Sequence, residues 1–288
     1  MIDLHVHILP GTDDGARTLE ESLQMCRISY LDGVRTIVAT PHSLNGFYVN
    51  ERDTILSKVK ELNEALAQFG VESSEFGEKN SNGLQSAIRH DTAGVGTTAV
   101  PARTDRNPRS AMDLRVLPGS DVHLCEKTVS TLDEGKLMTV GDGKKYLFIE
   151  FPSQGIPFGT EEVLFQLMKR GILPIVTHPE RNQEFWHRPQ RYYEMIRLGC
   201  LGQVTAMSLT GGFGPKAKET ARSMMKHRLI HFIASDAHST DGRAPILSGG
   251  VRAAEKIVGM KEARKMVEEY PRAILEGMKP DVPGPVPF

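Results

Sequence analysis

The chain has 288 residues, 39% hydrophobic and 25% charged, with a formal net charge of -1. That length suits one large domain or two small ones with a substantial core, and the balanced charge gives no global field for nucleic acid or an anionic membrane. No apolar stretch reaches the roughly 20 residues of a membrane span, the N-terminus lacks the apolar run of a signal peptide, and Cys26, Cys125 and Cys200 have no paired spacing, so the expected location is the reducing cytoplasm.

Seven apolar or β-branched runs read as strands: Ile2–Val6, Thr36–Ala39, Leu114–Leu117, Tyr146–Glu150, Leu173–Thr177, Leu201–Thr205 and Leu229–Ala234. Most are apolar throughout rather than alternating, as parallel strands covered on both faces are. Helical patterns lie between them. Thr18-Leu-Glu-Glu21 is a capping box, with Leu19, Leu23, Cys26 and Tyr30 as the face behind it. Asn50 opens a second helix with Ile55, Val59, Leu62 and Leu66 as its stripe, and Gly70 is its stop signal. Further helices are expected at Thr160–Arg170, Pro189–Leu198, Lys216–Lys226 and Gly250–Glu269. Strand-helix alternation argues for a parallel α/β architecture, and seven strands suggest an irregular barrel. Residues 73–111 break this rhythm, being polar, Gly-rich and aperiodic. They read as a flexible insertion, with Arg103, Arg106 and Arg109 as a weak docking element. The last nine residues, Pro280–Phe288, hold four prolines and are expected to fray as a tail after a single domain at 1–279.

Five histidines and four carboxylates sit at the ends of these runs: His5, His7, Asp14, His42, Asp121, Glu150, His178, Asp236 and His238. On a strand, His5-Val-His7 puts both imidazoles on one face, and Asp236-Ala-His238 repeats that spacing. Glu150 closes an apolar run, where a buried carboxylate is costly without a cation. Parallel strands ending at one mouth would gather all nine. Nine donors exceed one ion's needs, so two or three ions are expected, and a His-rich mixture favours Mn, Fe or Zn over Mg or Ca. Three divalent ions set against four carboxylates leave about two positive charges, which favours an oxyanion such as phosphate. Arg181 and Arg243 follow the ligand-bearing ends at His178 and His238, and a guanidinium fork matches phosphate oxygens.

The residues carry a resemblance. Met1–Ala16, Thr36–His42, Leu117–Asp121, Phe148–Pro152, Thr177–Arg181, Gly202–Thr205 with Ser208–Gly211, and Phe232–His238 are similar to the PHP-superfamily manganese-dependent protein-tyrosine phosphatases of bacterial capsular and exopolysaccharide operons. The resemblance implies a PHP-type distorted (β/α)7 barrel with its metal site at the C-terminal ends of the strands. It places the ligands on His5, His7, Asp14, His42, Glu150, His178, Asp236 and His238, with Asp121 where the family usually carries Glu. It implies Arg181, Arg243 and Asp14 as the catalytic residues, two or three Mn2+ as cofactor (Fe or Zn being the alternatives), and a phosphotyrosine protein as substrate. A bacterial tyrosine kinase controlling polysaccharide synthesis is the implied partner, with no nucleic acid and no membrane insertion. Two other readings stay open at this point. One is a phosphatase for a small ester such as histidinol phosphate; the other is a weakly active phosphotyrosine-binding protein, favoured only by the short arm of Asp121. The cysteines lack the Cys-x5-Arg loop of thiolate phosphatases, so no covalent intermediate is expected.

Overall fold

A computed structural model of the chain describes residues 1–72 and 112–288. The insertion, with Arg103, Arg106 and Arg109, lies outside the described residues. Among the described residues there are nine strand segments: β1 (Ile2–Val6), β2 (Thr36–Ala39), β3 (His42–Ser43), β4 (Arg115–Pro118), β5 (Asp121–His123), β6 (Tyr146–Glu150), β7 (Leu173–Thr177), β8 (Leu201–Thr205) and β9 (Phe232–Ala234). Every ladder is parallel, in two sheets ordered β1-β2-β4 and β3-β5-β6-β7-β8-β9.

The two sheets share strand lines. Thr40-Pro41 separates β2 from β3, and Gly119-Ser120 separates β4 from β5. Proline removes the ladder donor at one break. At the other, glycine is required by close approach, because a Cβ on Gly119 would meet Val38 Cγ1 at 2.6 Å. The far end of the larger sheet returns to β1. Val6 bridges Ala237, Asp236 N–H donates to His5 O at 2.9 Å, and His7 N–H donates to Ala237 O at 2.9 Å.

Helices fill the connections: α1 (Leu19–Leu31), α2 (Arg52–Glu72), α3 (Thr128–Asp133), α4 (Thr160–Lys169), α5 (Gln183–His187), α6 (Pro189–Arg197), α7 (Ala206–Thr210), α8 (Gly214–Lys226), α9 (Ser248–Val258), α10 (Met260–Lys265) and α11 (Glu269–Leu275). The N-cap half of the capping box is formed, with Thr18 Oγ1 accepting from Glu21 N–H at 3.2 Å, while Glu21 Oε2 accepts from Arg17 N–H, one residue before the cap, at 2.9 Å. The buried face of α1 is rotated from the expected one: Ser22, Met25, Cys26 and Ser29 are buried, while Leu19, Leu23 and Tyr30 pack at its margin. Helix α2 runs past the expected stop at Gly70 to Glu72. The single helix expected over Gly250–Glu269 is instead broken at Gly259, whose φ of 87° ends α9 and starts α10.

Strands β1, β2, β8 and β9 are buried at every residue, which accounts for the absence of alternation in their sequences. The tail, expected to fray, lies against the C-terminal end of α8. Val286 N–H donates to His227 O at 2.9 Å, and the Phe288 ring lies 4.4 Å from the His227 ring. No helix among the described residues is long and apolar enough to cross a membrane.

Candidate metal centre

The strand ends place the nine expected ligands. His5 is the fourth residue of β1, and His7 follows the strand by one. His42 and Asp121 open β3 and β5 directly opposite each other in the ladder. Glu150 closes β6, His178 follows β7, and Asp236 and His238 follow β9. Asp14 comes from the loop after β1 and is the most open of the nine, with 54% of its side chain exposed.

Hydrogen bonding fixes how the first two imidazoles point. His5 Nδ1 lies 3.0 Å from Gln203 Oε1, and His7 Nδ1 lies 2.7 Å from Asp13 Oδ2. Both partners are acceptors, so each Nδ1 carries the proton and each Nε2 presents a lone pair. Those two Nε2 atoms face each other at 3.0 Å. Burial lowers the His5 pKa to about 4 and holds His7 well below its ordinary value, so neither Nε2 carries a proton at neutral pH. Two lone pairs aimed at one point repel unless a cation lies between them. Coordination meets that requirement; a hydrogen bond cannot.

Around this pair the other donors stand at ligand-like separations. Asp236 Oδ1 is 3.5 Å from His5 Nε2 and 3.6 Å from His7 Nε2. Asp121 Oδ2 is 3.6 Å from His5 Nε2 and from His42 Nδ1. Glu150 reaches His42 Nδ1 at 3.3 Å and His178 Nε2 at 3.5 Å. Asp14 Oδ1 is 3.5 Å from His42 Nε2 and 3.6 Å from His238 Nε2. Donor atoms about 2.1 Å from a shared ion are separated by roughly 3.0 to 3.4 Å in octahedral or tetrahedral geometry. In three groups every candidate ligand atom lies within 4.8 Å of the others: His7, Asp14, His42 and His238; His5, His7 and Asp121; His42, Asp121 and Glu150. Asp121 Oδ2 and His42 Nδ1 are buried without hydrogen-bond partners, although buried polar atoms are normally paired. The residues present therefore fit divalent cations.

The electrostatics follow from the same crowding. Burial, with the Glu150 charge adding to it, pushes Asp121 well above the usual carboxylate range. Burial opposes charge on His42 as well, but Glu150, Asp121 and Asp13 together push its pKa up to about 9. Burial also works against ionised Asp236, and there Arg181, His5 and Arg243 prevail and hold the carboxylate well below its usual range.

The arginines do more than face the mouth. Arg181 and Arg243 each donate an Nη2–H to Asp236 Oδ2, at 2.6 and 2.7 Å. Both guanidiniums lie on the Phe213 ring, 4.6 and 5.6 Å from its centroid, while their Nε atoms are buried and unpartnered. They line a cavity of about 290 Å³ together with Asp14, His42, Glu150 and His178. Two residues of this site have left-handed backbone, His178 at φ 36° and Asp236 at φ 52°, a conformation that costs energy and gathers at functional sites.

All nine expected ligands and both arginines converge. Sequence reasoning missed four supporting residues. Asp13 holds His7 and also accepts from the N–H groups of His42 at 3.0 Å and Gly15 at 2.9 Å. Gln203 holds His5, and Phe213 backs the arginines. Gly15 admits no side chain, because a Cβ there would collide with His7 O and stand 2.6 Å from His7 Cβ. The Asp13-Asp14 doublet was a visible signal for the first of these, and Gly15 and Gln203 lie in the matching stretches Met1–Ala16 and Gly202–Thr205; Phe213 lies outside every one of them.

A family model described as capsular polysaccharide synthesis, CpsB/CapC, matches residues 1–76 and 97–276. Among curated proteins, the chain is similar to tyrosine-protein phosphatase YwqE of Bacillus subtilis, 32% identical over 84% of this chain and 79% of that protein. It is also 26% identical to tyrosine-protein phosphatase CpsB of Streptococcus agalactiae, over 96% of this chain and 98% of that one. A solved structure from work on YwqE of Bacillus subtilis and CpsB of Streptococcus pneumoniae, described as unique metal-dependent tyrosine phosphatases, superposes with a TM-score of 0.81 at 30% identity, covering 100% of this chain and 99% of that one.

Proposed function

We infer the chemistry of this site from one premise: the chain belongs to the capsular polysaccharide synthesis family CpsB/CapC. It is a metal-dependent phosphomonoester hydrolase acting on phosphotyrosine in proteins. The observation that carries this reading is the pair of buried His5 and His7 Nε2 atoms facing each other at 3.0 Å beside two arginines with unpartnered Nε atoms. The first asks for cations and the second for an oxyanion.

The nine donors would hold two or three ions, with Mn2+ proposed as resident. His5, His7 and Asp236 form the inner set, His42, His238 and Asp14 the open edge, and Asp121, Glu150 and His178 the far side. When bound, such ions supply Lewis-acid polarisation of the phosphoryl oxygens and a water nucleophile with a pKa near ~7. Arg181 and Arg243, packed over Phe213 and anchored by Asp236, bind the equatorial phosphate oxygens and stabilise charge as it develops there. Asp14, at the open edge, orients the attacking water. The phenol of tyrosine, with a pKa of about 10, leaves without strong general-acid help.

The fold supporting this site is read as one distorted (β/α)7 barrel over residues 1–279. The Val6–Ala237 bridge and the shared strand lines support that reading. The proposed substrate is an autophosphorylated bacterial tyrosine kinase controlling capsular or exopolysaccharide synthesis, a reading supported by family membership. The test is hydrolysis of a phosphotyrosine peptide by metal-stripped protein, with and without Mn2+. Loss on stripping and recovery on adding Mn2+ is expected. Activity that survives full chelation overturns the mechanism, and faster turnover of histidinol phosphate than of the peptide overturns the substrate class.

A further inference from the structure

Asp121-Val122-His123 repeats the spacing of Asp236-Ala237-His238 and of His5-Val6-His7. On strand β5 the first and third residues share a face, so His123 projects on the side where Asp121 enters the cluster, one step nearer the mouth. In the ladder His123 is the direct partner of Glu150. Its Nδ1 lies 3.6 Å from Glu150 Oε2. That is too long for a hydrogen bond, yet it matches the separations among the nine expected donors.

His42 makes the need for another imidazole concrete. Its Nε2 faces Asp14 while its Nδ1 faces Asp121 and Glu150. A neutral imidazole offers one lone pair, so His42 serves the Asp14 side or the Glu150 side, not both. If it serves Asp14 and His238, the Asp121–Glu150 side keeps only His178, at 3.5 Å from Glu150 Oε1 and 3.9 Å from Asp121 Oδ2.

We propose that His123 is a tenth metal ligand, completing with Asp121, Glu150 and His178 the ion site that the short arm of Asp121 would otherwise leave open. This rests on the metal-centre reading above. His123 keeps 27% of its side chain exposed, so replacing it empties no core.

The test is the Mn2+ content and Mn2+ affinity of purified full-length protein, by elemental analysis and titration calorimetry, for wild type, His123→Ala, His123→Gln and His178→Ala. His123→Ala and His123→Gln are expected to lose one ion per chain at limiting Mn2+, or to bind the weakest ion at least tenfold less tightly, with the remaining ions unchanged. Lengthening the neighbouring arm in Asp121→Glu/His123→Ala should recover part of that loss, which a merely structural role for His123 would not allow. The proposal is overturned if both His123 variants bind as many ions as wild type with equal affinity while His178→Ala loses one. If His178→Ala also binds unchanged, the metal-centre reading itself fails. Unfolding temperatures of the metal-stripped variants, expected to match wild type, separate ligand loss from misfolding; His123 variants that lose the ion only by unfolding when stripped overturn the assignment.

Discussion

His7 Nδ1 stands 2.7 Å from Asp13 Oδ2, and this contact decides which nitrogen of His7 is free to meet a proposed ion. The carboxylate fixes the tautomer, aims Nε2 at His5, and strengthens the imidazole as a donor. Asp13→Asn keeps the shape and removes the charge. It is expected to weaken Mn2+ binding 10- to 100-fold, read by titration calorimetry. An unchanged affinity would show that His7 is oriented by packing alone.

Arg181→Lys keeps a positive charge near Asp236 but loses the planar fork and its stacking on Phe213. A loss on the order of 10²-fold in kcat/KM on a phosphotyrosine peptide is expected, the scale of removing one preorganised oxyanion donor. If a lysine serves equally well, the guanidinium geometry has no part in the reaction.

Bound metal should appear in thermal stability. Mn2+ at about 1,000 times its Kd stabilises a folded state that alone binds it by about 4 kcal/mol. In a chain of this size that corresponds to a rise of roughly 10 °C in Tm. Calorimetric scans with chelator and with Mn2+ give the comparison; coincident transitions would mean that no ion binds the native cluster.

Acid sensitivity has a source remote from the ions. His231 Nδ1 accepts the Gly202 N–H at 2.9 Å between β8 and β9, and burial lowers its pKa to about 4. The unfolded imidazole, near 6.5, takes its proton first as pH falls. The native state therefore keeps this contribution above pH 6.5 and loses it progressively toward pH 4, in all about 3 kcal/mol. Urea midpoints of metal-stripped His231→Asn should fall less between pH 7 and 5 than those of wild type. Parallel curves for the two proteins would rule His231 out.

The candidate ligands were legible because parallel strands end together, so residues far apart in sequence become neighbours at one mouth whenever each closes an apolar run. His5, Glu150 and His178 announce themselves in this way. Elements set by tertiary contact were less visible. The breaks at Thr40-Pro41 and Gly119-Ser120 carry local signals, but β3 and β5 are too short to show a period. The rotation of α1 toward Ser22 and Ser29 reflects small residues letting the helix approach closely, which a hydrophobic stripe does not encode. Docking of Val286 and Phe288 on His227 depends on a partner 59 and 61 residues away in sequence. His123 was readable in principle, since its spacing repeats Asp236-Ala-His238, but it follows a strand break that hid its position.

At Asp236 a φ of 52° and the carboxylate that Arg181 and Arg243 share coincide on one residue, proposed above as a ligand. The left-handed region tolerates glycine, asparagine and aspartate best. Glycine would relax the chain and delete the donor, asparagine would keep the turn and discard the charge that both arginines grip, and glutamate would keep the charge on an arm that displaces them. Conformation and chemistry thus impose separate filters whose only shared solution is the residue already there. His178, at φ 36° on the rim of the same cavity, comes under a like pair of demands, so the chain just beyond β7 and just beyond β9 answers to backbone shape and to chemistry at once.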